Sequence, residues 1–346
     1  MIHFSSWASD AEQFISQICG CSELKSKRIL VTGVSGMIGS AVMDLLIYLN
    51  EYKGFDMHLY AAARRESSVH DRFQEFCQRD YFHFVPYDAN CEITFDLSLD
   101  YIIQAASNAD PQAIFQYPVE TLMSNVYGME QMLEYSRRKD VTRILFVSSS
   151  EVYGTNHTGK PFRENDYGVV DVLNPRASYP VGKRAAENLC ASYVKEYGMD
   201  VVIVRPGHIY GPTITDKDSR ASAQFTRKAL RGEDIVLKSE GKQLRSYCYV
   251  YDCATAILTV LLTGAVGTAY NISNKQSIIS IRDIAELFAE NGKCKLVFDI
   301  PTDDEKAGYN LMDMSALDSA ALEGLGWQAV ANAQEGVRRT LALMER

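Results

Sequence analysis

Short apolar runs rich in β-branched residues alternate with segments whose apolar residues recur at helical spacing, from residue 28 to about residue 172. The run 28–32 is typical of a buried parallel strand, and residues 40–49 are apolar at helical spacing. A helical segment at 184–197 and an apolar run at 201–204 should return to the same sheet. This alternation predicts an α/β fold with a doubly wound parallel sheet.

Residues 1–27 precede the first predicted strand and exceed what such a sheet requires. Residues 9–12 read Ser-Asp-Ala-Glu, which resembles a capping box, and Phe14, Ile15 and Ile18 follow at helical spacing. We expect an N-terminal helical extension that packs on the outer surface.

The rest of the chain divides into a main domain and a smaller lobe. We expect residues 28–172 to form the main domain, completed by about 177–212 and 247–274. Residues 213–246 and 275–346 are mixed in pattern, and they predict a smaller C-terminal lobe.

A glycine-rich turn joins the first strand to the first helix with the spacing G-x-x-G-x-x-G. Glycines permit a tight turn, close approach of the backbone to a pyrophosphate and close helix packing, while the helix N-terminus faces the anion. A glycine turn placed between a strand and a helix therefore indicates a Rossmann-type dinucleotide site. The cofactor-binding residues predicted here are Gly33, Ser35, Gly36, Met37, Ile38 and Gly39.

Tyr179 and Lys183 are four residues apart in a predicted helix, and this spacing places them on one face. A free phenol has a pKa near 10, so it is a poor base at neutral pH. A nearby ammonium stabilises the phenolate and should draw that pKa toward neutrality, where general acid/base catalysis is most effective. We expect Lys183 to play this part, and both residues to contact substrate or cofactor.

Composition narrows the class of protein. The chain has 44 acidic and 35 basic residues, and the net charge of −9 argues against nucleic acid or an anionic membrane as the main partner. The chain has no apolar stretch near the 18 or so residues that span a bilayer, and the N-terminus does not read as a signal peptide. The eight scattered cysteines contain no C-x-x-C motif. We expect a cytoplasmic protein with reduced thiols and no metal site.

Over residues 28–345 these features, in this order, resemble the extended branch of the short-chain dehydrogenase/reductase family, whose members act on nucleotide-activated sugars. Further blocks carry the resemblance: the run 144–154 ending in Ser-Ser-Ser-Glu-Val-Tyr-Gly, the run 205–212, and the closing Leu-Gly-Trp at 325–327. The resemblance implies that Ser149 supplies the catalytic hydroxyl beside Tyr179 and Lys183. It also implies cofactor contacts from Asp88, Ala89, Ala105, Ala106, Ser107 and Asn125.

Cofactor preference is predicted from the end of the second strand. Sites that prefer NAD place Asp or Glu about 20 residues beyond the glycines, on the ribose hydroxyl. Here the strand at 58–63 ends without an acid, and Arg64 and Arg65 follow. A guanidinium in this place can pair with a 2′-phosphate, which favours NADP(H), with NAD as the alternative.

The reaction is predicted from residues that follow the catalytic hydroxyl. Related dehydratases read Thr-Asp-Glu here, whereas this chain has Ser149, Ser150 and Glu151, so the missing aspartate disfavours dehydration. Glu151 either acts on the sugar, by orienting it or assisting proton transfer, or anchors the local turn. His208 takes the place of an asparagine that contacts the diphosphate in relatives, either as a hydrogen-bond donor or as a core side chain. Arg245 matches the arginine that clamps that diphosphate.

These features favour an NADPH-dependent reduction of a keto group on a nucleoside-diphosphate sugar, with Tyr179 as the proton donor. The alternative is an epimerase or decarboxylase that retains NAD and returns the hydride within one turnover. A non-catalytic cofactor sensor is disfavoured, because a sensor needs no intact Ser/Tyr/Lys set.

The resemblance also implies a homodimer. In the extended family two helices from each subunit form a four-helix bundle, and their counterparts here are residues 119–137 and 180–197. Each offers an apolar stripe that a two-fold interface would cover.

Overall fold

The computed structural model describes residues 4–155, 159–300 and 314–345. Parts of the predicted extension (1–3) and of the predicted domains (156–158, 301–313 and 346) lie outside the described residues. The strands are β1 (Arg28–Thr32), β2 (His58–Ala63), β3 (Phe82–Pro86), β4 (Tyr101–Gln104), β5 (Arg143–Val147), β6 (Val201–Pro206), β7 (His208–Tyr210), β8 (Ile235–Leu237), β9 (Leu244–Tyr249), β10 (Ala269–Ile272), β11 (Ile278–Ser280), β12 (Leu296–Phe298) and β13 (Met314–Ser315).

The helices are α1 (Phe4–Ile15), α2 (Met37–Lys53), α3 (Glu66–Phe73), α4 (Pro111–Gln116), α5 (Pro118–Arg138), α6 (Ser178–Tyr197), α7 (Ala221–Arg231), α8 (Val250–Thr263), α9 (Ile281–Asn291), α10 (Ala320–Glu323) and α11 (Ala333–Met344). Short 3-10 turns add to them, including Ser150–Tyr153 directly after β5. None of these described helices is long and apolar enough to cross a lipid bilayer.

Seven parallel strands form the central sheet in the order β3–β2–β1–β4–β5–β6–β10. Val31 of β1 pairs with Ala61 of β2 on one side and with Ile103 of β4 on the other. Strands β1, β4 and β6 are almost wholly buried, as expected for a parallel sheet covered on both faces. The strand order reverses between β1 and β4, and a crevice opens there at the carboxyl ends of the strands. This confirms the predicted Rossmann-type α/β fold.

The smaller lobe is built on a second sheet, in which β9 pairs with β7, β11 and β13. Strands β8 and β12 form a separate parallel pair, and helices α7, α9 and α11 pack together. Residues 208–210 and 247–249, which the predicted boundaries assign to the main domain, lie in this second sheet. The reason is that β7 runs parallel to the end of β9 and pairs with it from His208 to Tyr210.

The N-terminal helix α1 connects the two parts of the chain and starts earlier than the predicted capping box. Ser9 lies inside the helix, not at its N-terminus. Phe14 is buried, with its ring 5.5 Å from the ring of Tyr249 at the end of β9. Asp10 accepts a hydrogen bond of 3.0 Å from the Tyr249 hydroxyl and pairs with Arg339 of α11. The extension is therefore part of the core and not only an outer layer.

Helices α5 and α6 pack along each other on one face of the central sheet. Met129, Met132 and Leu133 of α5 are buried against the chain's own core. A second set of apolar side chains on the two helices is only half-buried: Leu122, Val126, Val181, Ala185, Leu189, Tyr193 and Val194. Val119 and Met123 of α5 are exposed. This face suits the predicted two-fold bundle, and the homodimer stays a prediction.

Light scattering at micromolar concentration should give about twice the chain mass of 38.7 kDa. Met123→Glu should shift the protein to the monomer mass, because it places a charge on an exposed position of the predicted interface helix without disturbing the monomer's core. Val266→Glu, which alters a similarly exposed apolar residue outside both helices, should leave the mass unchanged. A wild-type mass near 38.7 kDa would contradict the dimer.

Candidate active site

The glycine turn forms a close-packed cradle at the carboxyl end of β1. Gly33 has a φ of 65°, which favours glycine, and a Cβ there would lie 2.9 Å from the carbonyl oxygen of Ala105. A Cβ on Gly39 would lie 2.4 Å from the carbonyl oxygen of Gly33, so the first turn of α2 packs directly on the loop. A glycine-rich turn beside a helix N-terminus lets the backbone approach a ligand closely, which fits the pyrophosphate of a dinucleotide.

A cleft of about 420 Å³ opens beside this turn. Most of the predicted cofactor residues line it: Gly33, Ser35, Gly36, Met37, Ile38, Gly39, Arg64, Asp88, Ala89, Ala105, Ala106 and Ser107. Four predicted residues lie outside the lining, namely Arg65, Asn125, Tyr179 and Lys183. The sequence pattern did not single out the residues of the opposite wall, which include Thr215, Lys217, Asp218 and Arg220.

Thr32, the last residue of β1, fixes the loop after β4. Its hydroxyl oxygen accepts hydrogen bonds from the backbone amides of Ala105 (3.0 Å) and Ala106 (2.9 Å). The same hydroxyl donates to the side-chain carbonyl of Gln104 at 2.9 Å. Thr32 therefore sets the width of the cleft between the glycine turn and the two alanines, although it does not line the cleft.

Asn125 supports the cleft from behind. Its side-chain oxygen accepts a 2.9 Å hydrogen bond from the Ser107 hydroxyl, and its amide donates to the carbonyl of Thr121. Helix α5 can approach this closely because Gly128 has no side chain; a Cβ there would lie 2.8 Å from the Cβ of Ala89. Asn125 thus positions Ser107, which lines the cleft.

The two arginines after β2 have different places. Arg64 is exposed and lines the cleft, whereas Arg65 caps the start of α3 and lies outside the lining. Only Arg64 is therefore placed to meet a phosphate on a bound dinucleotide. Neighbouring residues at the end of a strand point in different directions. The sequence alone did not show which of the two arginines points into the cleft, so it treated them as equivalent.

Tyr179 and Ser149 form the reacting end of the site. Tyr179 is buried near the N-terminus of α6, and Ser149 begins the turn after β5. Burial raises the pKa of Tyr179 to about 12, and the negative charge of Glu151 adds to the rise. A side-chain hydrogen bond with Ser149, together with the charges of Arg220 and Arg176, acts in the opposite direction.

Lys183 lies on the same face of α6 as Tyr179, and its predicted lowering of the tyrosine pKa stays a prediction. Its ammonium donates a 2.8 Å hydrogen bond to the carbonyl of Val147 at the end of β5, and it lies 5.8 Å from the centre of the Tyr179 ring. Burial lowers the pKa of Lys183 to about 7, although the charge of Glu187 opposes this. Lys183 therefore joins α6 to β5, and its charge is only partly retained at neutral pH.

Glu151 anchors the local turn, and a role toward the sugar or in proton transfer stays a prediction. Both carboxylate oxygens accept hydrogen bonds from Arg176, at 3.0 and 3.1 Å. Its backbone amide donates to the Ser149 hydroxyl oxygen at 3.2 Å, which orients the start of the turn. Because the pair with Arg176 sits beside Tyr179, Glu151 anchors the local structure and also contributes charge at the reacting end.

Two further arginines hold the turn after β5 against α6. Arg184 donates to the carbonyl oxygens of Val152 (2.6 Å), Tyr153 (3.2 Å) and Gly168 (2.9 Å). Arg205, at the end of β6, pairs with Glu187 of α6 and donates to the Tyr153 hydroxyl at 2.9 Å. Arg184 directly follows Lys183, but its partners lie 16 to 32 residues away in the chain. No local pattern therefore reveals this fastening.

A basic cluster lies where the main domain meets the lobe. His208 of β7 is half-buried, and burial together with the charges of Arg245 and Arg220 lowers its pKa to about 3, so the ring is neutral. Its Nδ1 atom is buried and makes no hydrogen bond within the described residues. Arg220 lines the cleft, pairs with Asp218 and lies 3.7 Å from the sulfur of Met37. These groups suit an anionic ligand. Arg220 was not among the site residues predicted from the sequence.

The described residues contain no group of three or more histidine, cysteine or acidic side chains arranged to hold a metal ion. All eight cysteines are free thiols. Burial raises the pKa of Cys190, Cys248 and Cys253, so these three are protonated core side chains.

Comparison with known proteins agrees with this geometry. Residues 29–273 match the model of the NAD dependent epimerase/dehydratase family. The chain is 30% identical to UDP-glucuronic acid decarboxylase 1 of Xenopus tropicalis (92% of this chain, 72% of that protein). It is 32% identical to UDP-glucuronic acid decarboxylase 6 of Arabidopsis thaliana (92% and 88%).

Among solved structures, UDP-glucose 4-epimerase from Thermotoga maritima, determined with UDP-glucose, superposes with a TM-score of 0.76 at 22% identity. The match covers 91% of this chain and 98% of that one, so the whole fold is shared. The glycine cradle, the Ser149–Tyr179–Lys183 set and the extent of these matches lead to one assignment: the chain belongs to the NAD-dependent epimerase/dehydratase family.

Proposed function

We propose that this protein decarboxylates a nucleoside diphosphate-activated hexuronic acid. The scheme has three parts: oxidation of the hydroxyl at C4, loss of the neighbouring carboxyl group as carbon dioxide, and reduction of the resulting ketone. The observation that carries the proposal is a pair of arginines beside the predicted catalytic residues: Arg176 binds Glu151 in the turn that Ser149 begins, and Arg220 lines the cleft. In support, the relatives matched over 92% of this chain are, by name, UDP-glucuronic acid decarboxylases.

The two arginines suit a substrate with a carboxylate close to the reacting hydroxyl. In a hexuronate the carboxylate is attached to C5, next to C4. When Ser149 and Tyr179 hold the C4 oxygen, the carboxylate must lie close by. Guanidinium groups bind carboxylates through paired, charge-assisted hydrogen bonds. Because Arg176 pairs with Glu151 and Arg220 with Asp218, a bound carboxylate would share both cations with the protein's own acids.

The chain's own part in the reaction is proton transfer at one oxygen. Ser149 hydrogen-bonds that oxygen, and Tyr179, as the phenolate, takes its proton as the alcohol becomes a ketone and later gives it back. A ketone β to a carboxylate promotes loss of carbon dioxide, because the electron pair of the broken carbon–carbon bond moves onto the ketone oxygen. The resulting enolate takes a proton from solvent at C5, in place of the lost carboxyl group, and becomes the ketone that is reduced. The Ser149 and Tyr179 hydroxyls stabilise the negative charge on that oxygen.

The residues around the cleft fit a nicotinamide dinucleotide. The glycine cradle and the N-terminus of α2 would hold its pyrophosphate, and the loop fixed by Thr32 would cover one side of it. When bound, the cofactor supplies the acceptor and donor of hydride for the two redox parts of the scheme. Tyr179 is buried and Ser149 is half-buried, which would limit the access of water to the reacting oxygen.

The comparisons favour this alternative over the net reduction that Arg64 and Arg65 first suggested. A reductase consumes one NADPH per turnover, whereas oxidation followed by reduction at the same carbon leaves the cofactor unchanged. The arginines after β2 indicate which cofactor binds. They do not indicate whether the reaction consumes it. We therefore keep NADP as the proposed cofactor and separate it from the choice of reaction.

Purified protein incubated with UDP-glucuronic acid and a catalytic amount of cofactor should produce a UDP-pentose lighter by one carbon dioxide, detected by mass spectrometry. No reductant should be needed, because the scheme is redox-neutral overall. A product of unchanged mass would indicate epimerisation instead. Consumption of one NADPH for each keto sugar converted would instead support the reductase hypothesis.

Tyr179→Phe tests whether the named residues carry this activity. It removes the proton donor and keeps the ring, so turnover should fall by at least about 100-fold while cofactor still binds. Tyr197→Phe alters an exposed tyrosine at the far end of the same helix and should have no effect. Normal turnover in Tyr179→Phe would refute the assignment.

The different places of the two arginines give a matched test of cofactor preference. Arg64→Ala should weaken NADP binding by about 1.5–3 kcal/mol, the range for a hydrogen bond to a charged group, and should change NAD binding little. Arg65→Ala should leave both affinities unchanged. Calorimetric titration of each variant measures this directly. Equal affinity of the wild type for NADP and NAD would rule out the phosphate contact.

A further inference from the structure

A segment of the smaller lobe crosses the cofactor cleft. We call residues 211–220, between β7 and α7, the strap. Thr215, Lys217, Asp218 and Arg220 of the strap form one wall of the cleft, opposite the glycine turn and the loop after β4. A dinucleotide held by the glycine turn would therefore lie between the strap and the main domain.

The strap is fastened to the main domain through Asp110, the N-cap residue of α4. One carboxylate oxygen of Asp110 accepts hydrogen bonds from the backbone amide of Ser219 (2.8 Å) and from its hydroxyl (2.6 Å). The other oxygen accepts from the amides of Gln112 and Ala113 and caps α4. Burial alone would raise the pKa of Asp110, but these hydrogen bonds outweigh it and lower the pKa, which keeps the acceptor ionised.

A second fastening lies at the other end of the strap. The hydroxyl of Thr213, which is buried, donates a 2.9 Å hydrogen bond to the carbonyl oxygen of Met37 in the first turn of α2. Strap residues thus reach two separate elements that line the cleft: the N-terminus of α2 and the loop before α4. Between the two fastenings, Thr215, Asp216 and Lys217 are exposed.

We infer that Ser219 and Thr213 are positioning residues that lock the strap over the bound dinucleotide and so control its release. A cofactor beneath a strap held at both ends can leave only after these hydrogen bonds open. The inference rests on the proposed function in one respect, since an enzyme that returns its hydride within a turnover gains from retaining the cofactor. It requires no particular sugar substrate.

The test measures cofactor release without substrate. Wild type and variants are loaded with NADPH, mixed with excess NADP, and the loss of bound NADPH fluorescence is followed. Ser219→Ala removes one hydroxyl and should speed release at least about fivefold; Thr213→Val with Ser219→Ala should speed it about 20-fold or more, as expected when one and two hydrogen bonds are lost. Both hydrogen bonds also form without cofactor, so thermal unfolding of the cofactor-free variants should shift only slightly to lower temperature, and the release rate at 25 °C reports on the lock itself.

Ser222→Ala is the matched control. It removes the same group three residues along, in the first turn of α7, where the residue does not line the cleft. Its release rate should equal that of the wild type. Equal release from all variants, or equally fast release from the control and Ser219→Ala, would overturn the lock. A wild type that binds neither NADPH nor NADH would overturn both the lock and the proposed function, whereas retained NADPH with no decarboxylation would overturn only the latter.

Discussion

The reacting geometry depends on how helix α6 is fastened to the chain that follows β5. Lys183 binds the carbonyl of Val147, and Arg184 donates to three carbonyl oxygens in and beyond the turn that carries Ser149. Arg205 adds a third link from β6 to the same turn and helix. These contacts place the Ser149 and Tyr179 hydroxyls beside one another. Because Val147 is the last residue of β5 in the central sheet, its carbonyl oxygen gives α6, and Tyr179 on it, a fixed point of attachment.

Charge at this end of the site is balanced and not simply positive. Burial and Glu151 raise the pKa of Tyr179, while Arg220 and Arg176 lower it. In the proposed scheme a substrate carboxylate bound by these arginines would change this balance, which would couple substrate binding to the protonation of Tyr179.

Local patterns in the sequence predicted the fold and the cofactor cradle well. Gly33, Gly36 and Gly39 lie between a strand and a helix that are neighbours in the chain, so their role follows from spacing alone. The strap could not be found in this way, because Asp110 and Ser219 are 109 residues apart and neither lies in a motif. The partner of Lys183 was missed for a related reason: spacing places the side chain on a face, but packing against β5 directs its ammonium. The predicted start of α1 was also wrong, because the helix begins at Phe4, before Ser9.

The proposed scheme requires that hydride leave C4 of the sugar and return to the same carbon without exchanging with free cofactor. UDP-glucuronic acid carrying deuterium at C4, incubated with the protein, a catalytic amount of oxidised NADP and excess unlabelled NADPH, tests this directly. We expect a pentose product that retains the deuterium at C4, read by mass spectrometry and NMR. Loss of the label from the product into the free cofactor pool, or a product that keeps its carboxyl group, would contradict the scheme.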